Sequence, residues 1–157
     1  MRDLSNLIAR VRSATGPDRE LDALIWLATT PGATRKATHV DHWHMPYDID
    51  ETRDETGRLI IVPSFTAFLD DAVALCNRVL PGWWWRVGTC HVSDDATIGP
   101  DYNSPEHGER LHREFPIGVK DDGYPDEWIF DVDQRPPRSV ALALILAVLL
   151  AKQEIEQ

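Results

Sequence analysis

With 157 residues, 43% of them hydrophobic, the chain is long enough to bury one real core and too short for two domains of ordinary size. A net charge of −10 excludes ordinary binding to a nucleic-acid backbone, because counterion release needs clustered Lys and Arg that this chain lacks. The longest apolar run, residues 140–151, falls short of the roughly 20 residues that span a bilayer, so no membrane association is expected.

The first predicted element is a helix over residues 3–14, apolar at Leu4, Leu7, Ile8 and Val11. Its charged residues interrupt any signal-peptide core, and the two cysteines of the chain suit a reducing cytoplasm better than a disulfide framework. Gly16-Pro17 breaks this helix, and Pro17 is placed as the first residue of a second one, with Leu21, Leu24, Ile25 and Trp26 as its apolar stripe.

Periodicity then disappears in a polar insert, about residues 30–57. This insert holds His39, Asp41, His42 and His44, and neutral imidazole is a common ligand of zinc, copper or nickel. Met45-Pro46 argues against a helix there, the His-Glu-x-x-His arrangement is absent, and few apolar anchors are present to hold a ligand set rigid. The expectation is a solvated segment with no native metal and no cofactor. The competing reading is a metal-dependent hydrolase built on these residues.

Residues 58–62 predict an edge strand, given Pro63 at its end. A helix follows, with Ser64 or Thr66 as N-cap and apolar residues at Phe68, Leu69, Ala72, Val73, Cys76, Val79 and Leu80. Pro81-Gly82 stops it. In the strand over residues 83–92, Trp83, Trp85 and Val87 share one face while Trp84, Arg86 and Cys90 share the other, so both faces call for cover. Arg86 amid tryptophans would suit an anionic or nucleotide-like ligand; the simpler reading pairs it with Asp131. Cys76 lies about 6 Å along its helix from the stop and Cys90 roughly 20 Å along the outgoing strand, an offset too large for a disulfide.

Residues 93–108 read as a turn-rich connection, residues 114–119 as a short strand confined by Pro116 to an edge or bulge, and residues 128–133 as the clearest second strand. Pro136-Pro137 resets the chain, and Ser139 is the expected N-cap of a helix that is apolar all round. Such a helix needs cover on every side, either inside one subunit or by a second copy, and a homodimer through it is the expectation.

Phe65, Thr66, Leu69, Asp70 and Ala72, followed by Leu80-Pro81-Gly82-Trp83 and Trp85, resemble the motifs of the phage ABA-sandwich domain family. The segment Pro137, Ser139, Ala141, Leu142, Ala143 and Leu144 is similar to that family's closing helix. The resemblance covers about half the chain and implies a small phage or prophage protein with an antiparallel sheet between helical layers. It implies no catalytic residues, and the insert and residues 93–114 depart from its compact pattern.

The sequence therefore predicts one α+β domain over residues 1–157, a three-layer α/β/α sandwich whose antiparallel sheet has three to four strands. No Gly-x-Ser-x-Gly elbow, glycine-rich phosphate loop or dinucleotide fingerprint is present, so no catalytic residue is assigned. The functional expectation is a non-enzymatic phage or prophage accessory protein in the cytoplasm of a bacterial host, binding a protein partner or a small ligand. A sequestering protein for a host signalling nucleotide is the remaining alternative.

Overall fold

A computed structural model describes residues 4–40 and 47–157, with Tyr47 and Asp48 described by their backbone alone. Helix α1 (Ser5–Ser13) buries Leu7, Ile8 and Val11 on one stripe. Helix α2 (Arg19–Thr29) starts two residues after Pro17, because Asp18 takes the N-cap and its carboxylate accepts the Leu21 N–H at 3.0 Å. Helix α3 (Leu69–Val79) also starts later than the sequence suggested. Ser64 and Thr66 are not its caps; the Ser64 carbonyl instead accepts the N–H groups of Ala67 and Phe68, turning the chain before the helix begins. Pro81-Gly82 does end α3, and Gly82 sits at φ +85° where a Cβ would lie 2.5 Å from His107.

The core sheet is antiparallel in the order β4 (Trp83–Thr89), β5 (Asp94–Pro100), β8 (Phe130–Gln134). Its middle strand, β5, falls in the stretch that reads as a connection in sequence. Ala96, Thr97, Ile98, Gly99 and Pro100 are all buried there, and small residues take the place of a β-branched alternation. The second surprise is helix α4 (Gly108–Glu114), whose Leu111 is buried and whose end brings Phe115 edge-on to Trp83 at 5.3 Å. The strand expected over residues 114–119 shrinks to β6 (Gly118–Val119), paired with β7 (Pro125–Asp126) as an exposed ribbon.

The polar insert forms a hairpin, β1 (Thr34–Val40) with β2 (Tyr47–Arg53), and β3 (Leu59–Ile60) pairs with β2 at its edge. Little apolar burial supports β1. A charge cluster secures it: the Arg35 guanidinium donates to both Asp50 on β2 and Glu20 on α2.

Helix α5 (Val140–Ile155) explains why the rest is arranged as it is. Residues 141–149 and Ala151 are buried, with β4, β5 and β8 on one side and α1 and α3 on the other. This is an α+β sandwich with one continuous core drawn from the core sheet and the helices. The cover that a second copy was expected to supply comes from within the chain, so the covering argument for a homodimer no longer applies. Cover of β4 is partial: Trp83 is buried, whereas Trp84 and Trp85 are each 37% exposed. No helix among the described residues is long and apolar enough to cross a membrane.

Candidate functional site

Of the residues singled out by sequence, those that the structure describes do not converge. His39 lies exposed on β1, across from Asp48 in the ladder, while Asp41, His42 and His44 fall outside the described residues. No group of His, Cys, Asp and Glu among the described residues is arranged to hold a metal ion. Arg86 is on the face of β4 that carries Trp84, with Trp83 and Trp85 on the opposite face, so it is not enclosed by aromatic rings. Among the described residues its Nη2 reaches only Thr97 Oγ1, at 3.4 Å, and the pairing expected with Asp131 does not form: Thr97 on the middle strand separates them.

A different group of residues meets where β8 leaves the sheet, where α5 begins and where α1 ends. A cavity of about 200 Å³ there is lined by Arg12, Asp133, Gln134, Arg135, Arg138 and Leu146. Its position follows from strand periodicity. Phe130 and Val132 point towards α5, and the next residue in that row is Gln134, opposite Asp94. A polar side chain is thereby carried into the dry face of the sheet.

Asp94 organises the corner. Only 3% exposed, its carboxylate accepts the Thr89 hydroxyl at 2.5 Å and the Arg138 backbone N–H at 2.6 Å. Arg138 in turn uses Nη1 on the carbonyls of Arg12 and Ala14, fastening the last turn of α1 to the start of α5. Its Nε and Nη2 have no partner among the described residues. Arg135 donates from Nε to Asp133 at 2.8 Å, and the Arg12 guanidinium makes no hydrogen bond or ion pair among the described residues.

Gln134 is 7% exposed, and both its amide nitrogen and its amide oxygen are out of contact with water and without a hydrogen-bond partner. Leaving a buried donor or acceptor unmade costs about 1–3 kcal/mol each. The only other such atom among the described residues is Trp26 Nε1, on a ring that lies beneath the Arg78 guanidinium, 4.8 Å from the ring centre. Larger cavities of about 340 Å³, beside Trp128, and about 600 Å³, at the α1–α2 turn, have no unpartnered buried polar atom on their walls.

Three arginines against two carboxylates, Asp94 and Asp133, leave this corner with one excess positive charge in a chain of net charge −10. Its guanidinium groups are of the kind that bind carboxylate or phosphate oxygens. At about 200 Å³ it is smaller than the roughly 300–1,000 Å³ typical of drug-sized ligands. A readable signal was present in the sequence: the alternation through Trp128, Phe130 and Val132 continues to Gln134, inside the run Asp133-Gln134-Arg135-Pro136-Pro137-Arg138. Arg12 carried none, being one basic residue in the last turn of an amphipathic helix. Comparisons with family models, with curated proteins and with solved structures return no match to this chain.

Proposed function

We propose that this chain is a non-enzymatic ligand-binding protein, of the phage or prophage accessory kind that its motifs resemble, and that it holds a small anion between Arg12 and Arg138. The observation that carries the reading is a cavity lined by Arg12, Arg135 and Arg138, in which the Arg12 guanidinium and the Nε and Nη2 of Arg138 have no partner among the described residues. Arginine forks bind carboxylate or phosphate oxygens bidentately, and a partly desolvated site strengthens that attraction. A signalling nucleotide is a poorer fit to a cavity of this size, and the hydrolase reading has no support among the described residues. A homodimer through α5 forms no part of the proposal, since α5 has its cover within one chain.

The test is thermal denaturation of the full chain against acetate, phosphate and sulfate at constant ionic strength. Saturable stabilisation by at least one anion, lost in Arg12→Ala, is the expected outcome. Stabilisation that follows ionic strength alone, or that survives Arg12→Ala unchanged, contradicts it.

A further inference from the structure

Strand β4 is an outer strand of the core sheet, and its ladder to β5 fixes which of its backbone groups are spent. Just beyond the two ends of the strand, the Asp101 N–H donates to the Gly82 carbonyl and the Cys90 N–H to the Ser93 carbonyl. The even-numbered residues therefore carry the bonds to β5, and Trp83, Trp85, Val87 and Thr89 direct N–H and C=O away from the sheet. The Trp83 N–H is taken by the Leu80 carbonyl, whereas the backbone groups of Trp85, Val87 and Thr89 make no hydrogen bond among the described residues. This edge also lacks the usual guards against pairing. Its register runs to Thr89 without a bulge, no proline or lysine lies in it, and β5 and α5 are the chief elements packed against it.

We infer that a second copy of this chain covers the edge, β4 pairing antiparallel with the same strand of its partner about a twofold axis through Val87. The charges choose this occupant and this register. On the solvent face of β4, Arg86 spends one nitrogen on a long contact to Thr97. The Asp95 carboxylate makes no hydrogen bond or ion pair among the described residues and lies over Gly88, where a Cβ would be 2.6 Å from Oδ1. Arg86 and Asp95 are diagonal neighbours on that face, yet they form no ion pair within one chain.

With the axis at Val87, Trp85 meets the partner's Thr89, Val87 meets the partner's Val87, and every unspent backbone group of these residues is paired. Arg86 then stands opposite the partner's Gly88, with about 4.5 Å between Cα atoms. Having no side chain, that glycine leaves the guanidinium a clear path to the partner's Asp95, and the symmetry makes the contact twice. Trp85, 37% exposed in the single chain, gains cover. Moving the axis to Arg86 sets like charges directly opposite each other, which is destabilising. Moving it to Gly88 puts Trp85 opposite the partner's His91, beyond the end of the strand. The inference does not rest on the small-anion reading.

Sedimentation equilibrium of the full chain over roughly 10 μM to 1 mM, a range that brackets small transient interfaces, is the test. Wild type is expected to rise reversibly from 17.8 kDa towards twice that mass and no further. Arg86→Glu and Asp95→Arg are each expected to weaken association roughly tenfold or more, because each sets like charges together at both contacts. An equimolar mixture of these two variants is expected to recover the twofold mass, since both contacts of the mixed pair are then between opposite charges. Val87→Pro removes an outward N–H without touching the ladder to β5, and is expected to abolish association in a folded chain. A wild-type mass of 17.8 kDa throughout overturns the inference, and so does growth past the twofold mass. Association that Arg86→Glu leaves unchanged, or a mixture that associates no better than either variant alone, overturns it as well. The wild-type measurement is decisive against the inference even if a variant does not fold.

Discussion

The backbone N–H of Thr66 donates to the carboxylate of Asp22 at 2.8 Å, and both residues are completely buried. The second carboxylate oxygen of Asp22 accepts from Arg19, which also reaches the Ser64 hydroxyl and the Val62 carbonyl. The Thr66 hydroxyl closes the ring by accepting the Asp18 N–H at 2.9 Å. One network thus fixes the first turn of α2 to the segment that leads into α3. Thr66, part of the motif that resembles the phage sandwich family, has a structural task in it.

Replacing Asp22 by Ala strands the Thr66 N–H in the core and frees Arg19. Hydrogen bonds to charged groups are worth about 1.5–3 kcal/mol, so a loss of about 2–3 kcal/mol is expected by urea denaturation. A loss below about 1 kcal/mol would show that water re-enters and takes over the role.

Leu144 is fully buried within α5, between the core sheet and the helices α1 and α3. Leu144→Ala is expected to cost about 2–5 kcal/mol through the cavity it leaves. Because α5 is covered inside the chain, sedimentation should report the same mass before and after the change. A twofold mass for wild type that falls to 17.8 kDa on the change would restore the homodimer through α5.

Arg35 holds Glu20 and Asp50 below the usual carboxylate range, chiefly through its side-chain hydrogen bonds to each. Since the folded pKa values are depressed, the stabilisation is full above the ordinary carboxylate pKa and is lost as pH falls through the lowered values. Both carboxylates are largely exposed, at 50% and 42%, so the effect on global stability stays under about 1 kcal/mol. Limited proteolysis of the β1–β2 hairpin should accelerate at low pH in wild type and be fast at every pH in Arg35→Ala. A pH-independent rate in wild type would show that the hairpin is held by something else.

The two cysteines differ in reactivity. Burial pushes the Cys76 thiol up to about 12, while hydrogen bonding from the Val92 backbone, with help from Ser93, lowers that of the exposed Cys90. The thiolate is the nucleophile, so iodoacetamide near pH 8 should label Cys90 and spare Cys76 until the protein is denatured. Two adducts on the native protein would contradict this burial.

Helices with a one-sided apolar stripe, α1, α2 and α3, were legible in sequence because burial dictates their spacing; so was α5, whose uniform apolarity required cover on all sides. Strand β5 was not, since Ala96, Thr97, Gly99 and Pro100 are buried without being large or β-branched as a set. Helix α4 was hidden by its length and by the polar residues around Leu111. The hairpin β1–β2 depends on cross-strand charge pairs that no periodicity announces. At the candidate site, the inward position of Gln134 was written in the alternation of β8, but its company was not: Arg12 arrives from the other end of the chain, carried there by the packing of α1 on α5.

The most direct measurement is a nitrogen-15 nuclear magnetic resonance titration of the full chain with acetate, following the side-chain NH₂ of Gln134 and the Nε–H of Arg12. A small anion in the cavity predicts saturable shifts of both resonances with a single dissociation constant, abolished for Gln134 by Arg12→Ala. Shifts that are absent, or that rise linearly with salt and survive Arg12→Ala, would contradict the binding of an anion at this site.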